Sequence, residues 1–188
     1  MGGPNMLENF ARALVEEVMP QVEKSYNVTK DRNQRAIAGL SMGGAEAAFT
    51  GLNHLDKFAW IASFSGAYVM WPGANGVRRG GGAAPAPGVA ATPGPSGERG
   101  GRGGMPALDP AIIPKNFPNL DAKANSQIRL LWIGCGTADT LIGVNRQFKE
   151  WLKSKDVHFT DIEVPDVAHV WPLWRQNMTD VAPLLFQR

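Results

Sequence analysis

The sequence of 188 residues contains a single cysteine, Cys135, which excludes an internal disulfide and a zinc site built from several cysteines. No apolar run approaches the roughly 20 residues that a transmembrane helix needs, and the segment MGGPNMLENF lacks the basic start and apolar core of a signal peptide. With 44% hydrophobic and 19% charged residues, the chain can bury a core. The sequence therefore predicts one soluble domain, residues 1–188, without a membrane partner, and it leaves the compartment undetermined.

A strong excess of one charge is also missing. The net charge is +2, from 19 Lys and Arg against 17 Asp and Glu, and Arg78, Arg79, Arg99 and Arg102 all lie in one Gly- and Pro-rich tract. Because the rest of the chain is close to neutral, we expect no nucleic-acid partner.

That tract, residues 72–106, holds 12 Gly and 6 Pro among 35 positions and almost no bulky apolar side chains. Such a composition buries too little surface to offset the entropy lost on ordering. It predicts an irregular insertion within one domain. A linker between two domains is the alternative, but neither flank makes a complete sheet alone.

The hydrophobic pattern outside the tract alternates between strands and helices. Apolar residues spaced from Leu7 to Val22 predict an amphipathic helix that Pro20 bends or restarts. Strands are predicted at 35–40, 58–64, 128–133 and 158–164, and helices at 45–52, 144–155 and 171–186. The alternation predicts an α/β fold, a parallel sheet with helices on both faces.

Ser41 lies in the string Gly39-Leu40-Ser41-Met42-Gly43, which matches G-x-S-x-G directly after a predicted strand and directly before a helix. Glycines on both sides would relieve the crowding of a tight turn that projects the serine hydroxyl. The Met42 N–H and the positive end of the helix dipole would stabilise a developing oxyanion. A glycine-flanked turn without chemistry is the alternative, but the flanking elements favour a nucleophile.

A serine nucleophile needs a base, and the chain has three histidines. His54 lies just beyond the helix that follows Ser41, and His158 opens a predicted strand. His169 follows the last strand in a loop before the final helix, so it is expected at the carboxyl edge of the sheet with Ser41. His169 is therefore the predicted base.

The third member of such a triad is a carboxylate between serine and histidine in chain order. Asp139 follows the strand predicted at 128–133, again at the carboxyl edge. Asp161 lies inside a strand, and Asp166 is so close to His169 that it would more readily cap the loop. Asp139 is therefore the predicted acid. Cys135 lacks a strand-to-helix turn and is interpreted as a buried packing residue.

Two tryptophans follow the predicted base. Trp171 and Trp174 would either line an aromatic substrate pocket beside His169 or pack the last helix, and the sequence leaves both interpretations open.

These motifs resemble the putative esterase family of α/β-hydrolases, which includes feruloyl and acetylxylan esterases of carbohydrate esterase family one, enterochelin esterases and S-formylglutathione hydrolases. The similarity is carried by five strings, 14–20, 38–44, 64–66, 136–139 and 169–175. One departure lies beside the base, where relatives commonly have Gly-Gly-His and this chain has Val-Ala-His.

The resemblance implies a serine carboxylesterase with Ser41 as nucleophile, Asp139 as acid and His169 as base, acting on acyl or phenolic esters, feruloyl or acetyl, of plant polysaccharide. It implies no metal or organic cofactor. Relatives are often secreted or periplasmic. Two alternatives stay open, namely a catalytically impaired remnant or binding protein and an acyltransferase with the same triad.

A second departure is that only 34 residues precede Arg35, so the chain resembles the carboxyl-terminal half to two-thirds of an α/β-hydrolase. No segment in it matches the one that donates the second oxyanion N–H in that family. The strand carrying residues 36–40 would then keep an uncovered edge, through which we expect association, such as a homodimer.

Overall fold

The computed structural model of the chain describes residues 6–74 and 107–187. In these ranges the α-helices are α1 (Met6–Arg12), α2 (Met19–Ser25), α3 (Met42–Asn53), α4 (Ile112–Asn116), α5 (Ile142–Ser154) and α6 (Trp171–Val181). The strands are β1 (Ala36–Leu40), β2 (Trp60–Phe64), β3 (Leu130–Gly136) and β4 (Thr160–Val164). All four predicted strands form; each begins one or two residues later than predicted, and β3 ends three residues later.

The four strands make one parallel sheet in the order β1-β2-β3-β4. Its register pairs Ala38 with Ala62, Ala62 with Trp132, and Gly134 with Ile162. Since the strands are parallel and follow one another across the sheet, their carboxyl ends meet at one edge. The segments after β1, β3 and β4 are the ones that carry the predicted triad.

Helices cover both faces of the sheet, as predicted. On one face, Ile61, Leu131 and Ile133 pack in a cluster with the buried sides of α1, α3 and α5. On the other face, Ala62 and Trp132 pack against α6. Neighbouring strand residues thus point to opposite faces, and near-continuous apolar runs fill both, as expected of a buried parallel sheet.

Pro20 acts on the first helix as predicted. Between α1 and α2 the residues Ala13–Val18 form a π-helical segment, after which α2 continues to Ser25. Proline has no N–H to donate to the carbonyl of Glu16, and its ring crowds that carbonyl. The wider π turn just before Pro20 lets the helical path continue.

The residues that flank the predicted insertion are buried in one cluster. Trp71 and Leu108 are buried in the cluster that covers α1, α3 and α5. The amide of Asn116 donates to the Pro72 carbonyl at 3.0 Å. Most of the insertion predicted at 72–106 lies outside the described residues, so its irregular character and the one-domain division stay predictions. Within residues 6–74 and 107–187, no helix is long and apolar enough to cross a membrane.

Candidate active site

Ser41 occupies the turn between β1 and α3 in a conformation that side chains rarely adopt, with φ 55° and ψ −116°. Its N–H donates to the Phe64 carbonyl at 2.9 Å, and its own carbonyl accepts from Ala67 N–H at 2.9 Å. These bonds tie the strained turn to the end of β2. The serine is therefore held by a rigid framework at the carboxyl edge of the sheet.

The backbone approaches itself closely in this turn on only one side of the motif. A Cβ on Gly39 would lie 2.0 Å from the Gly43 carbonyl oxygen, so only glycine fits there. A Cβ on Gly43 would meet nothing within 4 Å. The expectation that glycines on both sides of Ser41 relieve crowding is thus correct for Gly39 and wrong for Gly43.

His169 reaches Ser41 from the loop between β4 and α6. Its Nε2 lies 3.0 Å from Ser41 Oγ, and its side chain is 31% exposed. The loop is seated against β3, where Ala138 N–H donates to the Val167 carbonyl at 3.1 Å. The imidazole is therefore placed between the serine and the end of β3.

Asp139 lies next to His169, on the side of the imidazole away from Ser41. Its Oδ2 lies 2.7 Å from His169 Nδ1, and its Oδ1 accepts from the Leu141 N–H at 2.8 Å. The side chain is fully buried. With one oxygen fixed by a backbone donor, the other has a defined direction toward the imidazole.

The structure also places the alternative acids and bases. Asp161 pairs with Lys149, and Asp166 is exposed on the loop with its N–H bonded to Thr137 Oγ1 at 2.8 Å. His54 lies at the end of α3, and the exposed His158 follows α5. Neither carboxylate nor either of these histidines has a side-chain bond to Ser41, Asp139 or His169 among the described residues.

Cys135 is buried in β3. Burial raises the pKa of its thiol to about 12, with the nearby Asp139 carboxylate acting in the same direction. The thiol is therefore protonated at neutral pH and cannot serve as a thiolate nucleophile.

Met42 is the first residue of α3 and directly follows Ser41. As the first residue of a helix, it has an N–H without an intrahelical acceptor. Its side chain is exposed. This N–H is the candidate oxyanion donor that the sequence indicates.

The two tryptophans have different environments. Trp174 is half-buried, its ring centroid lies 4.8 Å from that of His169 at 79°, and its Nε1–H donates to Ser65 Oγ at 3.1 Å. Trp171 is 58% exposed, with its ring 6.1 Å from that of Trp174. Only Trp174 touches the candidate base directly.

Sequence reasoning did not single out Ser65 or Asn145. Asn145 Nδ2 donates to the carbonyls of Gly66 and Leu141, each at 2.9 Å, and so joins the loop after β2 to the turn that holds Asp139. The string Phe64-Ser65-Gly66 is part of the family resemblance, and it was the one available signal for Ser65.

Comparisons with known proteins relate the chain to esterases. The family model described as putative esterase matches residues 3–85. An endo-1,4-beta-xylanase/feruloyl esterase of Xylanibacter ruminicola is 23% identical over 96% of this chain and 18% of its own length. An iron(III) enterobactin esterase of Escherichia coli is 32% identical over 38% of this chain and 18% of its own length.

Solved structures of esterases share the fold. A ferulic acid esterase from Anaeromyces mucronatus superposes with a TM-score of 0.65 at 21% identity, over 97% of this chain and 56% of its own. An S-formylglutathione hydrolase from Staphylococcus aureus gives 0.57 at 21%, over 91% and 61%. The chain thus spans less than two thirds of these relatives.

The chain has part of the α/β-hydrolase fold, which these esterase structures share. The predicted resemblance to the putative esterase family is confirmed by the family match and by the esterases among the relatives.

Proposed function

We propose that this chain is a serine carboxylesterase in which Ser41, His169 and Asp139 form the catalytic triad. One observation carries the proposal, the continuous row of hydrogen bonds from Ser41 Oγ through His169 to the buried Asp139, with lengths of 3.0 and 2.7 Å. The base touches the nucleophile, and the acid touches the base on its other nitrogen, which is the arrangement that acyl transfer requires.

The reaction proceeds in two halves. Ser41 Oγ attacks the ester carbonyl while His169 Nε2 takes its proton, and the same proton then passes to the alcohol oxygen as the ester C–O bond breaks. Water next attacks the acyl-serine, with His169 again accepting and returning a proton, so that the carboxylic acid leaves and Ser41 is restored. The oxyanion of each tetrahedral intermediate is stabilised by Met42 N–H and the amino end of α3.

Asp139 holds the histidine in the tautomer that this cycle needs. With Asp139 Oδ2 accepting from Nδ1–H, the lone pair of His169 is on Nε2, facing Ser41. A buried carboxylate also stabilises the imidazolium formed in each half-reaction, because their attraction is little screened by water. The Nδ1 proton stays on the imidazole throughout and is not transferred to Asp139.

The substrate class we propose is acyl or phenolic esters, feruloyl or acetyl, linked to plant polysaccharide. Support comes from the names of the xylanase/feruloyl esterase and the ferulic acid esterase among the relatives. The exposed indole of Trp171 adjoins Trp174 beside the base and offers a surface on which an aromatic acyl group or a sugar ring can stack.

A second candidate is a catalytically impaired esterase fold that acylates but turns over slowly. The observation that favours it is that the turn after β1 supplies a single identified oxyanion donor among the described residues, the Met42 N–H at the start of α3. An oxyanion with one donor is stabilised less than an oxyanion with two, and one missing donor typically costs about 10²–10³ in kcat.

The test combines a covalent probe with turnover. A fluorophosphonate probe should label wild type at Ser41 and leave Ser41→Ala unlabelled, with Ser126→Ala on the exposed segment after α4 as the matched control. Ser41→Ala should lower hydrolysis of methyl ferulate and p-nitrophenyl acetate at least about a thousandfold. Labelling of another serine in Ser41→Ala would refute the assignment of Ser41 as the nucleophile. A single burst of released alcohol without further turnover by wild type would favour the catalytically impaired candidate.

A further inference from the structure

The environment of His169 includes a contact that the triad does not explain. An imidazole bonded at both nitrogens can still rotate about the line that joins them, because Asp139 and Ser41 fix only the two ends of that line. A ring packed against the imidazole at a steep angle removes this freedom. Trp174 provides that contact, at 4.8 Å between centroids and 79° between planes.

Trp174 is itself fixed to the sheet. Its Nε1–H donates to Ser65 Oγ at 3.1 Å, and it packs against the apolar cluster under α6. Ser65 is fully buried at the end of β2 with φ 48°, and its N–H donates to the Gly134 carbonyl of β3 at 2.7 Å. A strained residue without a reacting role of its own thus aims a hydroxyl at the indole.

We infer that Trp174, held by Ser65, is a positioning residue for the base, setting the plane of the His169 ring so that Nε2 faces Ser41. This inference rests on the proposed function. It gives Trp174 a role that Trp171 does not share, because Trp171 is mostly exposed and touches the base only through Trp174.

The variants separate the ring contact from the hydrogen bond. Trp174→Leu removes the aromatic contact, Trp174→Phe keeps a ring but removes the N–H donor, and Ser65→Ala removes the acceptor. We expect Trp174→Leu to lower kcat and the rate of fluorophosphonate labelling about a hundredfold, and the other two about tenfold, with KM little changed. Trp174→Phe combined with Ser65→Ala should be scarcely slower than either alone, since both remove one bond.

Two control variants distinguish a positioning residue from a substrate contact and from a surface residue of α6. Trp171→Phe, on the proposed substrate surface, should raise KM for methyl ferulate and leave the labelling rate near that of wild type. Gln176→Ala on the exposed side of α6 should change neither. If Trp174→Leu raises KM while kcat and labelling hold, Trp174 is a substrate contact and the inference is wrong.

A readout without turnover keeps the inference distinct from the proposed function. The NMR resonance of His169 Nδ1–H, which reports the hydrogen bond to Asp139, should shift or broaden in Trp174→Leu, while the ring-proton resonances of His54 and His158 stay unchanged as internal references. An unchanged Nδ1–H resonance together with unchanged labelling would overturn the positioning role. Wild type that is never labelled at Ser41 would instead refute the proposed function, whatever the NMR result.

Discussion

Gly136 and Val167 approach each other so closely that a Cβ atom on Gly136 would lie 1.9 Å from the Val167 carbonyl oxygen. Gly136 ends β3, and Val167 lies two residues before His169. The absence of a side chain at one strand end thus lets the loop that carries the base sit directly on the sheet.

Gly136→Ala should therefore displace the base. The loop must move because the clashing atom is backbone, and a shift of about 1 Å at His169 should cost about a hundredfold in kcat/KM, with about 1–3 kcal/mol of stability lost to overpacking. Labelling by a fluorophosphonate and thermal unfolding measure the two effects. Retention of both within twofold and 1 °C of wild type would show that the loop is not seated as described.

Gly39 and Gly43 form a matched pair with opposite expected outcomes. Gly39→Ala should abolish labelling of Ser41, because its Cβ would meet the Gly43 carbonyl at 2.0 Å. Gly43→Ala should preserve labelling and raise the free energy of unfolding by about 0.5–1 kcal/mol, since its Cβ meets open space and alanine favours the helix. Urea unfolding provides the measurement, and equal loss in both variants would contradict the geometry.

Asp139→Asn should lower kcat by about 10³–10⁴, because an amide at this position can donate to Nδ1 and leave the base in the wrong tautomer. Asp166→Asn is the matched control. Its side chain is exposed, and asparagine tolerates the left-handed conformation found there, φ 57°. Steady-state kinetics on p-nitrophenyl acetate measure kcat of both variants. A greater loss of kcat in Asp166→Asn than in Asp139→Asn would identify Asp166 as the acid.

The ion pairs that Glu163 forms with Arg146 and the buried Lys149 indicate that the stability of the fold depends on pH. Hydrogen bonding to Arg146, aided by Lys149, lowers the pKa of Glu163 from 4.5 to about 2. A lowered pKa in the folded state means that the contribution of Glu163 is complete above pH 4.5 and is lost as the pH falls toward 2. Lys149 is 2% exposed and bonds Asp161 and Glu163, each at 2.5 Å, so it depends on both carboxylates.

Glu163→Gln should accordingly have a lower Tm than wild type at pH 7, and the difference should shrink between pH 4.5 and 2. Glu150→Gln, whose partner Lys153 is exposed, is the control and should change Tm little at any pH. A constant difference between wild type and Glu163→Gln across this range would contradict the assignment.

The order of elements and the candidate triad could be predicted from the sequence. Apolar runs of strand length alternate with helical stripes, and such patterns depend on neighbours a few residues apart. The G-x-S-x-G string is equally local, and chain order together with the position after a predicted strand then favoured Asp139 as acid and His169 as base. The structure brings these three side chains into one row because parallel strands place their carboxyl ends at one edge.

Contacts between residues distant in the chain could not be predicted in this way. Nothing near Gly43 in sequence says that its Cβ position is open, since this depends on what stands across the groove beside β1. The bond from Trp174 to Ser65 joins residues 109 positions apart, and it distinguishes Trp174 from the otherwise similar Trp171.

Local sequence pattern predicts which segments form strands and helices and which residue types carry the chemistry, because both depend on neighbours a few residues apart. The packing of distant segments establishes which glycines are crowded, which tryptophan touches the base and which strand edge is left open among the described residues. These properties depend on the packing of β1 to β4 with α6, which brings together atoms far apart along the chain.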